Sequence, residues 1–120
     1  MNNTAYLIVT QNNPVVIAAR VADITGSLIT QSSVSSLTVS TVNAETQTTT
    51  TTSSPTVADV VFNSLQTGSV WSTDSIGYNL LVTADGFTDA DTRYQVQIVL
   101  TPTAGDVFTL TAIVRTRPIY

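Results

Sequence analysis

Apolar and polar positions alternate most clearly over residues 93–101, where Tyr94, Val96, Ile98 and Leu100 share one side and Arg93, Gln95, Gln97 and Thr101 the other. This is the period of a half-buried antiparallel strand. A turn at 102–106, Pro-Thr-Ala-Gly-Asp, follows, after which Phe108, Leu110, Ala112 and Val114 point inward while Thr109, Thr111, Arg115 and Arg117 point outward. The two segments predict a long C-terminal hairpin. Shorter alternations recur at Val15, Ile17, Ala19 and Val21, at Leu37, Val39 and Thr41, at Ala58, Val60 and Phe62, and at Tyr78, Leu80 and Val82. Residues 46–52 have strand propensity without an apolar side, and residues 6–10 form a further short apolar run. No stretch of ten or more residues carries helical periodicity. The pattern predicts an all-β fold, an antiparallel β-sandwich of about seven to eight strands, with a small closed barrel as the alternative.

Asn12-Asn13-Pro14 breaks the pattern near the start. Residues 1–13 are therefore expected to form an N-terminal arm or edge strand, and residues 14–120 the sandwich. Composition agrees with a strand-rich chain: Val, Ile and Thr account for 47 of 120 residues, and branched side chains suit a pleated surface better than a helix. At 120 residues the chain is one domain, long enough to bury roughly two-thirds of the surface exposed by its unfolded form.

Charge narrows the range of partners. The chain has four arginines, Arg20, Arg93, Arg115 and Arg117, no lysine, and eight acidic residues, for a net charge of −4. Phosphate binding needs clustered cations, so neither nucleic acid nor an anionic membrane is an expected partner. The apolar runs are far shorter than the roughly 18 to 20 residues of a spanning helix, and the N-terminus lacks the basic start of a signal peptide. Synthesis in the cytoplasm is expected.

Histidine, cysteine and lysine are all missing. Their absence removes the common general base, the thiol nucleophile, the Schiff-base amine and the soft metal ligands. No catalytic residue, cofactor or metal is expected. Asp85, Asp89 and Asp91 form the one carboxylate cluster in the sequence, but without the ligand spacing of a calcium loop they read as a solvated connection. Trp71 is the only indole. It reads as a structural residue closing one end of the core, its N–H on a backbone carbonyl; the other reading is a platform for a sugar, assisted by Asp74. Tyr94, at the start of the clearest strand and just after the acidic loop, stands where a tyrosine corner belongs. Arg115 and Arg117 share a strand face and could grip a carboxylate of another chain.

The segments Ile17-Ala18-Ala19-Arg20-Val21-Ala22-Asp23-Ile24-Thr25-Gly26 and Ile29-Thr30-Gln31-Ser32-Ser33-Val34-Ser35-Ser36-Leu37 carry a likeness. So do Asp59-Val60-Val61-Phe62-Asn63-Ser64-Leu65-Gln66-Thr67 and Trp71-Ser72-Thr73-Asp74-Ser75-Ile76-Gly77-Tyr78-Asn79. With the closing strand and its Gly105 hairpin, they resemble small immunoglobulin-like virion proteins of tailed bacteriophages, over residues 15–120. The resemblance implies an immunoglobulin-like sandwich. It also implies a non-enzymatic capsid decoration, or cement, protein on the outside of the phage head, with the major capsid protein as partner and neighbouring copies, a trimer among the options, beside it. A tail or baseplate component and a carbohydrate- or receptor-binding module on the virion are the alternatives. A sheet edge without lysine is most easily understood if a neighbour covers it. The first candidates for partner contact are accordingly Tyr6, Leu7, Ile8 and Val9 of the arm, with Arg115 and Arg117.

Overall fold

The computed structural model describes residues 4–23, 25–71 and 74–118. Eight strands follow one another along the chain: β1 (Thr4–Thr10), β2 (Val15–Ala19), β3 (Val34–Asn43), β4 (Thr48–Ser53), β5 (Val61–Gln66), β6 (Tyr78–Ala84), β7 (Arg93–Pro102) and β8 (Phe108–Arg117). A single helical turn, α1 (Val57–Val60), precedes β5. The strands form a five-stranded sheet in the order β1-β8-β7-β3-β4 and a three-stranded sheet in the order β2-β6-β5. Every pairing is antiparallel except β1 with β8, which is parallel. A sheet of β2, β6 and β5 facing one of β8, β7 and β3, with β4 added at the outer edge, is the strand order of an immunoglobulin-like sandwich.

The two inner faces come from the period-two patterns. Tyr94, Val96, Ile98 and Leu100 of β7 and Leu110, Ala112 and Val114 of β8 meet Leu37 and Val39 of β3 on one side of the core. Ile17 of β2, Val61 of β5, and Leu80 and Val82 of β6 close it from the other. Burying each large aliphatic side chain is worth roughly 1.5–3 kcal/mol, so this layer is the main source of stability. Phe87 enters from the β6–β7 connection and packs edge-to-face on Tyr94, with ring centroids 5.4 Å apart.

Two segments differ from the sequence reading, and a third, expected as an arm or edge strand, is an edge strand over residues 4–10. The strand expected from Thr46 begins at Thr48, because Asn43 ends β3 in a side-chain-directed turn. Its Oδ1 accepts the amides of Glu45 and Thr46, at 2.9 and 3.2 Å, and Gln47 adopts φ 60°. The alternation at Ala58, Val60 and Phe62 is a helical turn followed by a strand: Val57 and Val60, three residues apart, both face the core from α1, and β5 starts at Val61. Residues 4–10 are hydrogen-bonded into the five-stranded sheet of their own chain as strand β1, with Leu7 and Val9 packed on the core.

The threonine tract also has structural work. Thr51 Oγ1 donates to the Asp85 carbonyl at 3.0 Å, hooking β4 onto the β6–β7 connection. Gly86 lies beneath that contact at φ +92°, and a Cβ there would come within 2.8 Å of the Thr50 and Thr51 side chains.

Candidate functional site

Parallel pairing of β1 with β8 sets the outward surface of the large sheet. Ile8 lies beside Arg115, and Arg115 lies directly opposite Arg93 across the β7–β8 ladder, so the three form one row over adjacent strands. Adjacent strands lie about 4.8 Å apart, which keeps these side chains in contact range. The next row places Tyr6 beside Ile113, and Ile113 opposite Gln95. Arg117 projects from the same face, two residues beyond Arg115. Leu7, Ile8, Arg93, Ile113 and Arg115 line a shallow cleft of about 290 Å³.

Of the candidate contact residues, the fold therefore brings Ile8 and Arg115 together on this face, with Leu7 bordering the cleft. Leu7 and Val9 both pack on the core, and the side chain of Tyr6 lies outside the described residues. Ile8 is 61% exposed, an unusual fraction for a large aliphatic residue in a regular strand. The face is electrostatically unbalanced: Arg20–Asp74 is the one ion pair among the described residues, which leaves Arg93, Arg115 and Arg117 without a carboxylate. Like charges directly opposite on neighbouring strands repel. Arg93 and Ile113 were not singled out in the sequence, although a signal existed. A hairpin centred on Ala104, the middle of the 102–106 turn, places residue 93 opposite residue 115.

A second polar cluster lies at the other end of the sandwich, where the β2–β3 and β5–β6 connections meet. Asp74 Oδ1 accepts the Trp71 indole N–H at 3.0 Å, the amides of Ile76 and Gly77 at 2.9 and 3.2 Å, and the Arg20 guanidinium at 3.1 Å. Arg20 also approaches Oδ2 at 2.9 Å. The Trp71 N–H, the Gly77 amide, Arg20 and the Ile76 amide together hold the Asp74 carboxyl down to about 2, against a smaller opposing effect of desolvation. Trp71 is half-buried and leans on Tyr78, centroids 5.8 Å apart, while Phe62 meets Tyr78 edge-on at 5.9 Å. Its N–H goes to the carboxylate, not to the backbone carbonyl expected from the sequence. One face of the indole and its donor are thus engaged within the chain.

The β6–β7 connection bearing Asp85, Asp89 and Asp91 is organised around Tyr94. The Tyr94 hydroxyl accepts the Asp89 amide at 2.9 Å, the geometry of a tyrosine corner, and Thr116 Oγ1 donates to the Asp89 carbonyl at 2.5 Å. Among the described residues, no group of three or more acidic side chains converges as metal ligands would. No helix among them is long and apolar enough to cross a membrane.

The fold and this surface define an all-β, immunoglobulin-like sandwich with an unpaired cationic and aliphatic patch on its larger sheet. No protein-family model matches the chain, and no curated protein matches it.

Proposed function

We propose that the chain is a non-enzymatic structural protein of a bacteriophage virion, a capsid decoration protein on the outer surface of the head that stabilises the shell by contacts with the major capsid protein. The observation that carries the reading is the outward face of the five-stranded sheet: exposed Ile8, and Arg93 facing Arg115 with no carboxylate between them. Such a face gains free energy when a neighbour supplies a counter-charge and covers the aliphatic surface. Two further features support it. The outer edges of β1 and β4 are the two ends of the sheet, and neither strand contains lysine, proline or any other charge to discourage pairing. Only 12 of the 120 residues are charged, few for a free monomer that relies on charge for solubility.

The resemblance to small immunoglobulin-like virion proteins, which takes in head decoration and tail or baseplate components alike, supports a virion role, and the uncovered sheet edges favour decoration of the head. A sandwich of this kind hosts many functions, so the assignment rests on the surface and the resemblance together. Quantitative mass spectrometry of purified particles tests it. A copy number in fixed, near-stoichiometric ratio to the major capsid protein is expected. A few copies per particle would assign the chain to the tail or baseplate, and its absence from particles would overturn the virion reading.

A further inference from the structure

We infer that the cleft formed by Arg93, Arg115 and Ile8 receives the β7–β8 hairpin tip of a second copy of this chain, Asp106 entering between the arginines and Val107 lying on Ile8. The inference goes beyond placement on a virion and would hold for the chain alone in solution.

The receiving half is a built arrangement. Arg93 and Arg115 face each other across the ladder with no carboxylate partner among the described residues, and Ile8 flanks Arg115 in the same row. Two guanidinium groups side by side offer parallel N–H donors to one carboxylate, and a bound carboxylate turns their repulsion into attraction. The aliphatic flank calls for a carboxylate next to an exposed apolar side chain.

The chain carries that combination itself. Among the described large hydrophobic residues with substantial exposure, Ile8, Val16, Leu28, Val70, Ile76 and Val107, only Val107, 55% exposed, directly follows an acidic residue. Asp106 is exposed and takes part in no ion pair among the described residues. The tip has space around it: a Cβ on Gly105 would meet nothing within 4 Å. Two other carboxylates near exposed aliphatic residues are already engaged: Asp74, near Ile76, by Arg20 and Trp71, and Asp23, near Leu28, by the Thr25 hydroxyl and the Thr25 and Ser27 amides.

Tip and cleft sit at opposite ends of the same two ten-residue strands, separated by about 30 Å at strand rise. No molecule can satisfy its own cleft with its own tip, so the contact is between copies. It is head-to-tail, and such contacts close into rings or extend as filaments.

Sedimentation velocity on the purified full chain, over a range of protein and NaCl concentrations, tests the contact. Association that weakens with added salt is expected. Arg115→Asp and Asp106→Arg should each weaken it at least about tenfold. Arg115→Gln, which removes the charge without reversing it, should also weaken association. Far-ultraviolet circular dichroism and melting confirm that each variant is folded. A wild-type chain that stays monomeric at low salt throughout would overturn the inference. So would single variants that associate as the wild type does. None of these results bears on copy number in particles, so the two proposals fail separately.

Discussion

Tyr94 and Thr41 are both buried and both carry a hydroxyl, yet they are opposite cases. Tyr94 receives the Asp89 amide, so Tyr94→Phe leaves a part-buried N–H without a partner and should cost about 1–3 kcal/mol, read from urea unfolding. Thr41 is 1% exposed on the inner side of β3, and its Oγ1 has no hydrogen-bond partner. Thr41→Val removes an unmet polar group at nearly constant shape, and a gain of about 1 kcal/mol is expected in the same measurement. Asp74 sets an acid limit. Its pKa in the folded chain lies near 2, below the ordinary carboxylate value, so its stabilising effect is full above about pH 4 and is lost as pH falls through 2. The melting temperature of Asp74→Asn should lie below that of the wild type at pH 5, and the difference should shrink as pH approaches 2. Tyr94 could be placed from sequence because its position relative to a strand start is a local fact. The pairing of Asp74 with Arg20 could not, since the two are 54 residues apart and their meeting depends on two loops converging.

Among the elements, β7 and β8 were the most legible, because one face of each is buried and the other open, which writes a strict period of two. α1 was missed because four residues are too few to show a period, and Val57 and Val60 on one side of a turn look much like alternation. β4 was found but not bounded, its start being fixed by the Asn43 side chain and not by any apolar pattern. The partnership of β1 was invisible: an apolar run shows that a segment seeks cover, not which strand provides it. That strand leaves an edge strategy to test. Ile8 is exposed but lies beside Arg115, so Ile8→Lys should lower folding stability by up to about 1 kcal/mol through like-charge repulsion. It should nonetheless reduce concentration-dependent aggregation, measured by light scattering, because a lysine on an edge strand opposes further pairing.

For the molecule as a whole, the connectivity is non-local. β1 pairs with the last strand, and β3 pairs with β7 across about half the chain. Closing such loops precedes most of the stabilising contacts, so refolding after stopped-flow dilution from urea is expected in the range of about milliseconds to seconds, well slower than a helical bundle of this size. By itself, the sequence determined that the chain is built of strands, which side of the principal strands is buried, and how few charges remain for its surface. Those properties are local or additive, carried by side-chain period and composition. Only the tertiary structure decided that β1 lies parallel to β8, that three of the four arginines gather on one face, and that Arg20 is the one arginine paired with a carboxylate among the described residues. These depend on residues far apart in the chain being brought to one place by the burial of a shared core, and no local pattern records where such neighbours meet.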